Sequence, residues 1–114
     1  MSKDLEITIK KEGDVTVIEL AGDVTAVTGQ DVENAFKRVS GEGAVKILFQ
    51  FHEDSYINSG GIAFLIGIAA ESRGTEQKIR YSRLSEHFQK IFDMVGLARY
   101  IEIFPTTEAA LKDF

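Results

Sequence analysis

The chain has 114 residues, which suits one compact domain because domains commonly contain about 100–150 residues. Its 44% hydrophobic and 27% charged residues are typical of a soluble globular protein and exclude a disordered or fibrous one. The net charge of −5 counts against nucleic-acid binding, which requires a basic face, and the absence of cysteine excludes disulfides and thiolate metal sites.

The sequence has no stretch that approaches the roughly 18 apolar residues of a membrane span, and its first residues lack the apolar segment of a secretory signal. It also contains no internal repeat and no linker. We therefore expect one domain over residues 1–114, in a cytoplasmic protein whose partners are other proteins.

The amino-terminal segment predicts a β-hairpin. Leu5, Ile7 and Ile9 alternate with polar residues, which is the period of a half-buried strand. Glu12-Gly13-Asp14 then supplies a turn, and residues 15–21 form a second strand. The first two strands are therefore expected to be antiparallel.

After the hairpin, helices and strands alternate. A helix is predicted between Thr28, as part of a capping box, and Gly41, because four apolar residues follow a helical spacing: Val32, Ala35, Phe36 and Val39. Residues 45–51 are almost continuously apolar, as expected of a central strand that is covered on both faces. A second helix is predicted from Ser59 to about Arg73, followed by a strand at residues 78–82.

The last third of the chain repeats this alternation. Ser85 and Gly96 bound a third predicted helix, residues 100–104 form a last strand, and Pro105-Thr106 starts a terminal helix. The order ββαβαβαβα predicts an α/β fold with a mixed, mostly parallel sheet of about five strands, an N-terminal β-hairpin and about four helices.

The start of the second helix is the main candidate for a functional site. In open α/β sheets, functional residues commonly lie beyond the carboxyl ends of central strands, and Ser59 is predicted to lie at such a position. A serine there can cap the helix by accepting a hydrogen bond from an amide of the first turn. Alternatively, Gly60 and Gly61 leave the hydroxyl uncovered so that another molecule can reach it.

The second helix is apolar on more than one side. One apolar face is expected to pack on the sheet and consists of Ile62, Leu65, Ile66, Ala69 and Ala70. Phe64 and Ile68 then lie off that face, four residues apart. An outward apolar stripe suggests a docking surface, although such a stripe also fits beneath a loop.

Three segments resemble the STAS domain family, and more closely its bacterial anti-sigma factor antagonists. Ile57-Asn58-Ser59-Gly60-Gly61-Ile62, which follows an apolar strand and precedes an apolar helix, is similar to the Asp-Ser-Ser-Gly-Leu signature of STAS domains. Leu20-Ala21-Gly22-Asp23-Val24 resembles the turn after the family's second strand, and Phe92-Asp93-Met94-Val95-Gly96-Leu97 resembles its third helix and cap. The resemblance spans nearly the whole chain and implies a STAS fold.

The resemblance also implies a phosphorylation switch. In that family an anti-sigma factor, itself a serine kinase, phosphorylates the serine that aligns with Ser59. The unmodified antagonist binds the anti-sigma factor and frees the sigma factor. The phosphorylated antagonist dissociates from the anti-sigma factor, and a phosphatase returns it to the unmodified form. The resemblance further implies a set of residues at the partner interface: Asp23, Thr25, Asn58, Gly60 and Gly61.

Three positions depart from the family pattern. Asn58 stands where the family usually has aspartate, Thr25 stands where many members have aspartate, and Gly60 stands where the signature has its second serine. An alternative without phosphorylation is therefore open, in which the chain is a scaffold subunit of a larger signalling assembly. A receiver-like domain phosphorylated on Asp54 is a further alternative, but the sequence lacks the acidic pair that would hold Mg²⁺ at such a site.

The sequence does not predict an enzyme. His52 and His87 lack the spacing of a metal site, and Ser59 lacks the surrounding pattern of a nucleophile elbow. We expect no catalytic residue, no metal and no cofactor.

Overall fold

A five-stranded sheet with the order β1-β2-β3-β4-β5 organises the computed structural model, which describes residues 4–114. The strands are β1 (Leu5–Glu12), β2 (Val15–Gly22), β3 (Lys46–Gln50), β4 (Lys78–Ser82) and β5 (Glu102–Phe104). The β1–β2 pair is antiparallel, and the other neighbouring strands are parallel. The predicted hairpin and mostly parallel sheet are confirmed.

Four α-helices are present in the described part of the chain, in agreement with the predicted order of elements. They are α1 (Gly29–Gly41), α2 (Ser59–Ser72), α3 (Glu86–Met94) and α4 (Thr107–Leu111). A short 3₁₀-helix at Leu97–Arg99 follows α3 and shortens the last strand, which was predicted to begin at Tyr100.

The helices cover both faces of the sheet. The larger core lies between the sheet and helices α1, α2 and α3, whose buried side chains include Phe36, Leu65 and Phe92. The smaller core lies under α4, where Ala110 packs with residues of β2 and β3. Since successive strand residues point to opposite faces, β3 is buried on both sides, as its apolar sequence predicted.

A buried arginine fastens α4 to the sheet. The Arg80 guanidinium donates hydrogen bonds to the carbonyl oxygens of Ala110 at 3.0 Å, Lys112 at 2.7 Å and Asp113 at 2.9 Å. It also donates to the Glu102 carboxylate at 3.1 Å. These bonds satisfy carbonyls at the helix end that have no partner within the helix.

Candidate functional site

Two loops meet beyond the carboxyl ends of β2 and β3. The Val24 N–H donates to the Tyr56 carbonyl at 2.9 Å, and the Asn58 N–H donates to the Val24 carbonyl at 3.1 Å. These bonds form a parallel bridge between Val24 and Ile57. The segment after β2 is therefore held directly beside the start of α2, and Asp23 and Thr25 are brought close to Asn58.

The start of α2 is capped by Asn58 and not by Ser59, so the predicted cap is wrong. Asn58 has extended backbone angles, and its Oδ1 accepts a hydrogen bond from the Gly61 N–H at 2.9 Å. Ser59 is the first residue of the helix, and its side chain is exposed. An amide oxygen one residue earlier fills the capping role, which leaves the serine hydroxyl in solvent.

Two amide groups remain available beside that hydroxyl. Within residues 4–114, the N–H groups of Ser59 and Gly60 have no hydrogen-bond acceptor. The first amides of a helix have no partner within the helix, and together with the helix dipole they favour an anion. The start of α2 can therefore accept negative charge at Ser59 without unfolding.

The two glycines after Ser59 are required by close packing. A methyl group on Gly61 would overlap the carbonyl oxygen of Val24, and one on Gly60 would overlap the side chain of Ala26. Gly61 is buried by this contact. The glycines thus let α2 approach the β2–α1 loop, a reason that the sequence alone did not reveal.

Threonine hydroxyls hold the β2–α1 loop in shape. The Thr25 Oγ1 accepts hydrogen bonds from the N–H groups of Val27 at 3.1 Å and Thr28 at 3.3 Å. The Thr28 hydroxyl donates to the Asp23 carbonyl at 2.8 Å and accepts from the Thr25 N–H at 2.9 Å. Thr28 occupies the N-cap position of α1, as predicted, but its side chain does not cap the helix, so the predicted capping box is wrong.

The Asp23 carboxylate supports the same arrangement. Its Oδ1 accepts a hydrogen bond from the Tyr56 N–H at 3.2 Å. Asp23 therefore links the loop after β2 to the loop before α2, at the bridge between Val24 and Ile57.

An exposed apolar tip lies beside the site and was not predicted from the sequence. Val27 is 82% exposed, and its neighbour Ala26 is also exposed and contacts the start of α2 next to Ser59. The available signal was an Ala-Val pair between two threonines, in a turn where no helical or strand period accounts for apolar side chains.

The predicted faces of α2 need correction. Ile68 is fully buried in the larger core, so its placement on an outer docking surface is wrong. Ile66, predicted to face the sheet, is 42% exposed, and Ala70 is exposed as well. The buried residues of the helix are Gly61, Leu65, Ile68 and Ala69.

Phe64 is only partly buried, and it lies against α1. A methyl group on Gly29 of that helix would overlap the Phe64 ring. The pair of Phe64 and Ile68 is therefore not an open docking stripe. The exposed stripe of α2 follows the spacing i, i+4, i+7 and i+11 and consists of Ser59, Ala63, Ile66 and Ala70.

The remaining candidates do not form a second site. His52, Asp54 and His87 are exposed, and within residues 4–114 no three His, Cys, Asp or Glu side chains are placed to hold a metal ion. No helix in that part of the chain has the length and apolar character to cross a membrane.

Among residues 4–114, the group whose pKa is shifted most lies in the core. Burial raises the pKa of the Tyr81 phenol far above its ordinary value, because a phenolate is poorly solvated among apolar side chains. The Tyr81 ring makes edge contacts with Phe49, Phe51 and Phe92, and its hydroxyl has no hydrogen-bond partner among the described residues. Tyr81 is thus a core residue and not part of the candidate site.

Comparison with known proteins places this arrangement in a family. A family model described as the STAS domain matches residues 6–110. The chain belongs to the STAS domain family. A relative from Listeria monocytogenes, named anti-sigma-B factor antagonist, is 26% identical over 101 residues, which cover 88% of this STAS chain and 89% of that protein. That name describes an antagonist of an anti-sigma factor.

Solved structures share the same STAS fold. An anti-sigma factor antagonist from Mycobacterium paratuberculosis superposes with a TM-score of 0.81 at 18% identity, covering 94% of this chain and 91% of that one. The Bacillus cell fate determinant SpoIIAA in its phosphorylated form superposes with a TM-score of 0.64 at 16% identity, covering 91% of this chain and 96% of that one. The predicted STAS fold is confirmed.

Proposed function

We propose that this STAS domain is an anti-sigma factor antagonist, that it binds an anti-sigma factor with serine kinase activity, and that phosphorylation of Ser59 controls this binding. The observation that carries the proposal is the exposed Ser59 hydroxyl at the first position of α2, beside two amides that have no acceptor within residues 4–114. The names of the STAS relatives supply the class of partner.

The partner surface surrounds the hydroxyl. On one side, the β2–α1 loop presents Val27, the most exposed large apolar side chain near the site. On the other side, the exposed stripe of α2 continues from Ser59 to Ala63 and Ile66. Five residues shape this surface because they position the loop and the start of α2: Asp23, Thr25, Asn58, Gly60 and Gly61. A partner that covers Val27 and Ala63 would bury the Ser59 hydroxyl between them.

Phosphorylation would act on this interface and spare the fold. The Ser59 oxygen attacks the γ-phosphorus of ATP in the kinase, the bond from that phosphorus to the leaving ADP oxygen breaks, and the hydroxyl proton is released. The product carries about −1.5 to −2 charges at neutral pH. Within the domain, the amides of Ser59 and Gly60 can receive the phosphate. Against an apolar partner surface, the same charge would be desolvated and unpaired, so the complex dissociates.

The loss of two aspartates from the family pattern is compatible with this mechanism. The neutral Asn58 caps α2 through its side-chain oxygen, a role that asparagine and aspartate fill about equally well. Thr25 organises its loop through its hydroxyl. Neither structural role requires a carboxylate, so the site retains its geometry without the two aspartates.

Binding to an anti-sigma factor kinase from the same organism tests the proposal. We expect Ser59→Asp to weaken binding at least about tenfold, which corresponds to about 1.4 kcal/mol of interface free energy, and Ser59→Ala to change it less than about twofold. Thr106→Asp is the matched control, because it places the same charge at the start of α4, on the opposite face of the sheet. This control should bind like the unaltered chain.

Phosphate-specific mass spectrometry completes the test. Incubation of the chain with the kinase and ATP should modify Ser59, and the Ser59→Ala variant should not be modified. If Ser59→Asp binds as tightly as the unaltered chain and no phosphate reaches Ser59, the switch is wrong. That result would favour the unphosphorylated scaffold subunit, which the departures at Asn58 and Thr25 left open.

A further inference from the structure

A hollow of about 140 Å³ lies between the second half of α2 and the segment that follows α3. Its walls are mainly apolar and include Ile66, Ala69, Ala70, Val95 and Leu97, with Tyr100 at one side. Val95 and Tyr100 are 48% and 52% exposed. Exposed apolar side chains that cluster in one depression often mark an interaction site, whereas single exposed apolar side chains are common on any protein surface.

The helix that forms one wall is unusually apolar for a surface helix. A helix that is hydrophobic on every side is normally buried on every side. In α2 the stripe of Ala63, Ile66 and Ala70 remains exposed, although only one residue of the helix, Glu71, carries a charge. The outer side of α2 therefore has the composition of a contact surface along its whole length.

The charge at the hollow indicates the chemistry of its occupant. Arg73 is the one charged residue in its lining, and the guanidinium carbon lies 4.6 Å from the centre of the Tyr100 ring. Among residues 4–114, no carboxylate oxygen lies within 4 Å of a nitrogen of that guanidinium. The chain as a whole has 18 acidic and 13 basic residues. A positive, apolar hollow on an acidic protein is complementary to an apolar side chain that has a carboxylate close by.

We propose that the hollow binds an apolar side chain of the anti-sigma factor, and that a carboxylate one helical turn away in that partner pairs with Arg73. This inference rests on the proposed function for the identity of the partner. Ser59 and Ala70 lie on the same stripe of α2, about 16 Å apart at 1.5 Å per residue, so one partner surface can cover both. The hollow then anchors the partner at a distance from the phosphate.

Two synthetic peptides test the hollow without the partner. Both are short alanine-based helices with one leucine, followed four residues later by glutamate in the first and by lysine in the second. Each is titrated into the full isotope-labelled chain while the amide resonances of Ala70, Gly96 and Leu97 are followed. We expect the glutamate peptide to bind and to shift these resonances. The lysine peptide should bind roughly two- to fivefold more weakly, which is the size of effect that other exposed charge pairs have.

Variants locate the effect. Arg73→Gln should remove the difference between the two peptides. Ala70→Phe fills the hollow and should abolish binding of both. The matched control is Ala21→Phe at an exposed position of β2, outside the proposed partner surface, and it should leave binding unchanged. Equal binding of the two peptides to the unaltered chain, or an absence of shifts at the hollow, would refute the acidic partner segment.

Two further outcomes are informative. Shifts at these amides that depend on protein concentration without any peptide would overturn the proposal in favour of a second copy of the chain. Ser59→Asp should bind the glutamate peptide like the unaltered chain. If Ser59→Asp does not weaken binding to the kinase but the glutamate peptide still binds, only the proposed function is wrong. If the unaltered chain does not bind the glutamate peptide, only the proposed role of the hollow is wrong.

Discussion

The side-chain oxygen of Asn58 accepts a hydrogen bond from the N–H of Gly61 at 2.9 Å, and this bond caps helix α2. The neighbouring Ser59 therefore does not cap the helix, and its hydroxyl lies in solvent at the first helical position. Adjacent polar residues thus have separate roles, one in stability and one in the proposed regulation.

This separation predicts different stabilities for two alanine variants. Asn58→Ala should lower the free energy of unfolding by about 1 kcal/mol, because the first turn loses its side-chain acceptor. Ser59→Ala should change it by less than about 0.5 kcal/mol, as expected of a surface substitution away from a cap. Urea denaturation of both variants measures the difference, and a larger loss for Ser59→Ala would show that serine is the true cap.

Two of the three glycines of α2, Gly61 and Gly67, predict opposite responses to substitution by alanine. Gly61→Ala should destabilise the domain by about 1–3 kcal/mol, because the new methyl group overlaps the Val24 carbonyl oxygen and forces the loop to move. Gly67→Ala should stabilise it by up to about 1 kcal/mol, since that position is helical and a methyl group meets no atom within 4 Å. Thermal unfolding of the pair provides the measurement, and a stabilised Gly61→Ala would contradict the close approach.

The buried phenol of Tyr81 predicts a loss of stability in alkali. Its pKa is raised in the folded protein, so above about pH 10 the unfolded chain loses its phenolic proton first and folding becomes less favourable as the pH rises. Tyr81→Phe should remove this contribution. Since the hydroxyl is buried and has no hydrogen-bond partner among residues 4–114, that variant should be as stable as the unaltered protein at pH 7, or up to about 2 kcal/mol more stable.

Unfolding curves at pH 7 and above pH 10 check the Tyr81 prediction. Tyr100→Phe is the control, because Tyr100 is 52% exposed. It should follow the unaltered protein at both pH values. A Tyr81→Phe variant that loses 2 kcal/mol or more at pH 7 would indicate a hydrogen bond to the hydroxyl, contrary to the structure.

The hydrogen bonds of the Arg80 guanidinium predict that the stability of α4 depends strongly on this one side chain. Arg80→Leu should lower the free energy of unfolding by about 2–4 kcal/mol, because the carbonyls of Ala110, Lys112 and Asp113 lose their donor. Amide hydrogen exchange in α4 should accelerate more than exchange in α2. Arg38→Leu, an exposed position whose one ion pair is with Glu42, is the control and should cost less than about 0.5 kcal/mol. Equal effects of the two substitutions would show that Arg80 does not fasten the helix.

The fold was predictable because its patterns are local. The alternation of Leu5, Ile7 and Ile9, the apolar run of β3 and the Ser85 cap of α3 each restrict the backbone within one element, and the structure confirms all three elements. The sequence order of these elements then leaves few ways to pair the strands. The position of Ser59 at the start of a helix that follows a central strand was predictable for the same reason.

The details of the site were not predictable, because they depend on contacts between distant segments. The roles of Gly60 and Gly61 follow from the loop that carries Val24 and Ala26, some 35 residues earlier in the chain. The exposed Val27 likewise depends on how Thr25 and Thr28 fold that loop.

By itself the sequence determined the order of strands and helices, the STAS resemblance and the place of Ser59, since each rests on residues that are neighbours along the chain. Only the tertiary structure decided which side of α2 faces the sheet. Helix α2 is apolar on nearly every side, so its periodicity could not distinguish the buried Ile68 from the exposed Ile66. The contact between Gly61 and Val24 fixed the rotation of the helix, and with it the surface that remains open to a partner.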